Sequence, residues 1–251
     1  MKDQDSKLVL ARVNDDVHRA LRDYKAVGTS FFDPAVSKTI EKLLSDYDEI
    51  GFFRYGGYES AERAIFIIYP FYMDKPDNQF IKALRIEWNP KYHSINHRDI
   101  LGSLIGCGIK REKIGDIIVE AGLSHVFIKS ELAQFVESTL QRVSNAAVSV
   151  QVISREEAVL QSPKSKIIRT TVASPRLDSI LSSCFGISRT KALPLITNGK
   201  VRVNWDLVQK PDYIVSPGDM LSVRDVGRGK VTEFQGTTKK DRLVVVLEKY
   251  I

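Results

Sequence analysis

The chain is poor in cysteine, histidine, methionine and tryptophan, with two, four, three and two of them among 251 residues. Cys107 and Cys184 stand far apart in segments that read as helical, which excludes a disulfide framework and a zinc site of paired thiolates; both are expected to pack as small hydrophobes. His93 and His97 are four residues apart, but Asn89-Pro90 breaks a helix there and no third ligand follows, so neither a metal nor any other cofactor is expected. Long apolar runs are missing as well. The longest, such as Ala64 to Tyr69 and Leu243 to Leu247, fall far short of the ~20 residues that span a bilayer. Met1 to Lys7 is polar and no apolar stretch follows it, so a secretory signal and a membrane partner are not expected, and the expected compartment is the cytoplasm.

What is present is ordinary globular material, 43% hydrophobic and 27% charged, long enough for two or three domains. The charge is unevenly placed. From Lys164 to Ile251 there are 16 lysines and arginines against 8 acidic residues, a net +8, whereas the whole chain carries only +6. A basic excess confined to one segment is the footprint of a phosphate-binding surface; the plainer reading is a solvated face.

Hydrophobic spacing predicts a helix from Leu8 to Tyr24 and a second one from Asp33-Pro34 through Leu44, with Asp33 as cap. Ala64 to Tyr69 reads as a strand among glycines. Tyr55, Tyr58 and Tyr72 near those glycines suit base stacking, although core or turn packing is the commoner use of such residues. Then come a strand over Phe80 to Trp88, a helix over Asp99 to Cys107, strands over Ile114 to Glu120 and His125 to Ile128, a helix over Ser130 to Val143 with Ser130 as cap, and a strand over Ala147 to Ile153. The order β-α-β-β-α-β is ferredoxin-like, a pattern that many RNA-binding domains share, although His125 to Lys129 lacks the paired aromatics of an RRM strand. The fold class expected is therefore α+β. It has an N-terminal domain of helices and strands over 1–78, a ferredoxin-like middle domain over 79–160, a polar linker over 161–173 and a basic module over 174–251.

In that module Ser174 and Pro175 suggest the start of a helix bearing Leu177, Ile180 and Leu181, and Ser188 the cap of a second bearing Ala192, Leu195 and Ile196, ended by Gly199. Arg189 and Lys191 fall in the first turn of the second helix, where free N–H groups and the helix dipole favour a phosphate. Pro194 requires that helix to be short or kinked. Beyond it, Val201 and Val203 alternate with Lys200, Arg202 and Asn204, an apolar face backed by a polar one.

Arg176-Leu177-Asp178, Ser188-Arg189, Ala192, Ile196, Gly199, Val201, Val203-Asn204, Gly218-Asp219 and Val223-Arg224 together resemble the S4 (αL-type) RNA-binding domain. The resemblance implies RNA contacts by Arg176, Ser188, Arg189, Lys191, Lys200, Arg202, Asn204, Arg224 and Arg228. Upstream, His97 to Gly106 and Gly108 to Ile117 resemble the middle domain of YlmH-type S4 proteins, where Lys110, Arg111 and Lys113 suggest a second RNA contact or a solvated turn. That family likeness implies ribosome-associated quality control: binding a stalled large subunit through its rRNA and tRNA, with no membrane and no small-molecule substrate. Rival classes are a pseudouridine synthase, whose catalytic aspartate lies in an Arg-Leu-Asp motif, and a cell-division adaptor that binds protein. The only Arg-Leu-Asp here opens the helical hairpin, so a catalytic domain is not expected. His97-Arg98-Asp99 likewise lacks the glycine-rich loop of a kinase.

Overall fold

A computed structural model of the chain describes residues 2–59, 61–154, 157–158, 165–238 and 240–250. They form two compact units, residues 1–159 and 160–251. Among the described residues no helix is long and apolar enough to cross a membrane.

The first unit opens with α1 (Lys2–Asp23), β1 (Val27–Gly28), α2 (Pro34–Ser45), β2 (Ile50–Tyr55) and β3 (Ile65–Pro70). Val13, Val17 and Ala20 on α1 and Ile40 and Leu44 on α2 are buried with Phe66 and Ile68 of an antiparallel sheet ordered β1-β3-β2. The apolar stripe on each helix is what docks it. Asp33 precedes Pro34 as expected, yet its carboxylate caps nothing because it pairs with Arg63. Strand β2 is not among the expected elements, because its Gly51 reads as a turn residue rather than as part of a strand. In the fold Gly51 is a packing residue within the strand, since a Cβ there would run into the Tyr69 ring.

The chain continues through β4 (Ile81–Glu87), α3 (His97–Gly106), a 3-10 turn (Arg111–Lys113), β5 (Ile114–Glu120), β6 (Leu123–Lys129), α4 (Ser130–Thr139), β7 (Arg142–Val143), β8 (Ala146–Ala147) and β9 (Ser149–Ile153). The main sheet runs β5-β6-β4-β9 with every neighbour antiparallel, the strand order of a ferredoxin-like sheet. Asn96 and Asp99 close a reciprocal capping box on α3. Ser130 does not cap α4: the helix springs directly from β6 with Lys129 at its N-cap, and the Ser130 amide bonds to the Phe80 carbonyl. The helix also stops short of Val143, which turns into the β7–β8 hairpin and is buried there beside Ala146.

The domains expected over 1–78 and 79–160 meet, within the described residues of this unit, along a polar seam. Arg63 donates Nε to the Ile114 carbonyl at 3.0 Å and Nη2 to the Phe31 carbonyl at 3.1 Å. The Asp116 carboxylate accepts from the Tyr58 hydroxyl at 2.8 Å and from the amides of Glu62 at 2.8 Å and Arg63 at 3.0 Å. Lys129 is buried, and its Nζ donates to the carbonyls of Gly28 at 2.9 Å and Thr29 at 3.2 Å. Burial pushes that ammonium down to about 8. A Cβ at Gly57 would collide with Phe127, whose ring instead receives Tyr58 at 5.0 Å between centroids. Tyr58 thus packs and hydrogen-bonds inside the seam, and the Tyr55 hydroxyl is spent on the Gly57 carbonyl.

The second unit comprises β10 (Ser165–Val172), α5 (Leu177–Phe185), α6 (Arg189–Thr197), β11 (Val201–Val203), β12 (Asp206–Leu207), β13 (Met220–Val223), β14 (Gly227–Thr237) and β15 (Leu243–Tyr250). Its sheet is ordered β10-β15-β14-β13-β11-β12. The segment expected as linker, 161–173, therefore supplies a strand: 165–172 pairs residue for residue with β15, while 161–164 lie outside the described residues. Nor does α5 start at Ser174-Pro175. The Pro175 carbonyl accepts from the Val215 amide, the Leu177 amide donates to the Tyr213 carbonyl, and Arg176 bridges to Ile214, so the chain stays extended up to Arg176, the N-cap. Pro194 sits inside α6, which is correspondingly short at nine residues. Asn204 and Trp205, at φ +48° and +69°, make the tight turn between β11 and β12.

Candidate nucleic-acid interface

Alternation along the strands divides the basic side chains of the second unit between two faces. Val201, Val203, Leu221, Val223, Val231, Val245 and Leu247 point into the core with Leu177, Ile180 and Leu181 of α5 and Ala192 and Ile196 of α6. Gly229 faces the same way, directly beneath the Cys184 sulfur, where no Cβ would fit. Their neighbours in sequence must point outward. Arg202, Ser222 and Arg228 are aligned across β11, β13 and β14. One step along, the Arg224 amide donates to the Lys200 carbonyl at 2.9 Å, setting these two residues opposite one another beyond the Val201–Val223 pair.

Lys200, Arg202, Arg224 and Arg228 are all exposed and share this outer face. Like charges directly opposite on a sheet repel. Lys200 and Arg224 have no ion pair among the described residues, so an anion bound between them relieves a repulsion that the fold otherwise carries. Arg202 is steadied by donating Nη1 to the Trp205 carbonyl at 2.7 Å. Lys230 is in the next row, between Met220 and Glu248. The sequence reading omits it, although Arg228-Gly229-Lys230-Val231 alternates as plainly as residues 200–204 do.

A second group gathers at the mouth of the helical hairpin. Ser188 caps α6, its hydroxyl accepting from the Lys191 amide at 3.2 Å, and Lys191 projects into solvent. Arg189 reaches back to the Ser179 hydroxyl of α5, which fixes its guanidinium beside the start of the other helix. There Arg176 donates through Nε and Nη2 to the two oxygens of Asp178, each at 3.2 Å. Burial alone would raise the Asp178 carboxyl, but the hydrogen bonds from Arg176 and the Ser179 amide, with the charges of Arg176 and Arg189, hold it below the usual carboxylate range. An aspartate so engaged organises two arginines. The exposed guanidinium edges, together with the first N–H groups of α6, face solvent as anion donors.

Two of the expected positions are turned inward. The Asn204 side-chain amide donates to Asp219 at 2.7 Å, and its oxygen accepts from the Met220 amide at 3.0 Å, so this side chain ties the β11–β12 turn to the Pro217-Gly218 turn. In the middle domain, Lys110, Arg111 and Lys113 do not form one cluster. Arg111 donates to the carbonyls of Ile114 at 2.7 Å and Gly115 at 3.1 Å, and burial, then Arg63, lower its guanidinium to about 10. Lys113 pairs with Glu131 at 2.7 Å, and only Lys110 is fully exposed. At three residues per turn, the 3-10 turn points the side chains of residues 111, 112 and 113 to three different sides.

Residues 175–221 match the S4 domain, 75–157 the domain described as "Putative RNA-binding domain in YlmH", and 5–73 "YlmH, N-terminal". The ribosome-associated protein quality control protein P2 of Bacillus subtilis is 36% identical over 227 residues, 90% of this chain and 88% of that protein. An uncharacterized RNA pseudouridine synthase of Mycoplasma genitalium is 44% identical over only 48 residues, 19% of this chain and 16% of its own. Among solved structures, a cell division protein from Streptococcus pneumoniae superimposes with a TM-score of 0.53 over 62% of this chain and 95% of its own, at 22% identity, a likeness of fold. With three domains matched between residues 5 and 221 and a relative 36% identical over 90% of the chain, the chain belongs to the YlmH-type family of S4-domain RNA-binding proteins.

Proposed function

We propose that this protein is a non-enzymatic, cytoplasmic factor of ribosome-associated quality control, whose S4 unit grips the phosphate backbone of large-subunit rRNA or of tRNA. The observation that carries this reading is the outward face holding Lys200, Arg202, Arg224 and Arg228 together, with Lys200 and Arg224 opposed across strands and without an ion pair among the described residues. Arg176, Arg189 and Lys191 at the hairpin mouth extend the contact; Asn204 and Arg111, engaged internally, are left out of it. Contacts of this kind position a protein on folded RNA without reading sequence. Binding to large subunits should fall steeply with salt, and replacing Lys200 and Arg224 together by alanine should lower the slope of log affinity against log salt by about two, one per phosphate contact. The Arg189→Ala, Lys191→Ala pair should act alike. Unchanged affinity and slope in both double variants would remove the site assignment.

The enzyme reading rests on Arg176-Leu177-Asp178. Here Asp178 is occupied by Arg176 and the Ser179 amide, and the synthase relative aligns over less than a fifth of this chain, which favours an organising role. Base modification of rRNA by the purified protein, abolished by Asp178→Asn, would reverse that ranking. A cell-division adaptor would instead keep its partner after loss of the basic face.

A further inference from the structure

The first unit carries a surface of opposite character to the basic sheet. Where β3 ends, Pro70 pairs with Ile50 and the Phe71 amide donates to the Glu49 carbonyl at 3.0 Å, while the Met73 amide turns back to the Pro70 carbonyl at 2.9 Å. This tight turn leaves Phe71 and Tyr72 66% and 58% exposed, set edge to face at 5.7 Å. Two adjoining aromatic rings left in water form a contiguous apolar patch of the kind that marks contact surfaces. Behind them Phe53 packs on Tyr69, and the Lys75 ammonium rests 4.4 Å above the Phe53 ring. One cation is therefore already taken up on an aromatic face here.

The rim is acidic. Asp46, Asp48 and Glu49 precede β2, and Asp74 and Asp77 flank Lys75; all five carboxylates are exposed and none has an ion pair among the described residues. The five carboxylates outnumber the neighbouring Lys42 and Lys75, so this rim repels phosphate and attracts cations. We propose that Phe71, Tyr72 and their acidic rim dock an arginine-rich polypeptide segment. Guanidinium planes stack on the two rings, and the carboxylates of Asp48, Glu49 and Asp74 take up the remaining charge. The partner is thus a basic protein tail or loop and not RNA, and the site is separate from the phosphate-binding face of the second unit.

The test uses the full-length protein and a short fluorescein-labelled peptide of alternating arginine and glycine, with the glutamine–glycine analogue and an oligouridylate as companions. Phe71→Ala with Tyr72→Ala, and separately Asp48→Lys with Glu49→Lys, should each weaken binding of the arginine peptide by about tenfold or more. Oligouridylate affinity should stay unchanged in the aromatic variant and not fall in the charge-reversal variant, and the glutamine peptide should not bind. The altered side chains are exposed, and unchanged thermal midpoints verify folding. Equal arginine-peptide affinity in wild type and both variants overturns the proposal, as does an oligouridylate affinity that falls with the aromatic pair.

Discussion

Asp116 offers a severe test of how the first unit is held together. Its carboxylate takes three hydrogen bonds from residues more than fifty positions away in sequence: the Tyr58 hydroxyl and the amides of Glu62 and Arg63. Bonds to an ionised acceptor contribute about 1.5–3 kcal/mol each, and partial exposure favours the lower figure, so Asp116→Ala should cost roughly 4 kcal/mol. For a unit of this size, each kcal/mol shifts the thermal midpoint by about 2–4 °C, giving a fall on the order of 12 °C. Asp116→Asn, which keeps one acceptor but turns an NH₂ group toward an N–H, should lose about half as much. Differential scanning calorimetry of the full chain measures the shift, and hydrogen exchange at the amides of Glu62 and Arg63 localises it. A midpoint lowered by less than about 3 °C in Asp116→Ala would refute the claim that this carboxylate joins the two halves of the unit.

Two further outcomes separate structure from binding. Asn204→Ala removes the bond to Asp219 and the bond from Met220 and leaves alanine at a positive φ. A loss of about 2–3 kcal/mol in urea unfolding is expected, with RNA affinity per folded molecule unchanged; weakened binding at full folding would return Asn204 to the contact set. Lys129 tests the buried end of the seam. Its folded value of about 8 lies below the 10.5 of an exposed lysine, so the unfolded chain binds the extra proton between those values. Stability from this group therefore rises with pH across that window, by roughly 3 kcal/mol in all, and the penalty is complete below it. In Lys129→Met that rise should vanish from the pH dependence of the melting midpoint; an identical profile in both proteins would contradict it.

The elements that were legible in the sequence are those whose pattern is local. The stripe of Val13, Val17 and Ala20, the run Ala64 to Tyr69, the Ser188 cap and the alternation from Lys200 to Asn204 each announce a helix or strand because periodicity alone decides which side chains share a face. Where the sequence misled, a distant partner had the deciding voice. Asp33 abandons its cap for Arg63, Pro175 is held extended by Val215, and the expected linker becomes a strand only because β15 lies beside it. The same holds for the site: residue types named the cations, but pairing register placed Lys200 opposite Arg224 and Arg202 in line with Arg228.

The sequence by itself determined that a basic S4 module follows a ferredoxin-like domain, since composition, spacing and motif are properties of neighbouring residues. Tertiary structure alone decided which cations of the chain reach solvent and which, like Arg111 of the middle domain, are consumed by carbonyls inside the fold. A side chain's freedom depends on what lies across from it, and that is set by strand register and by burial.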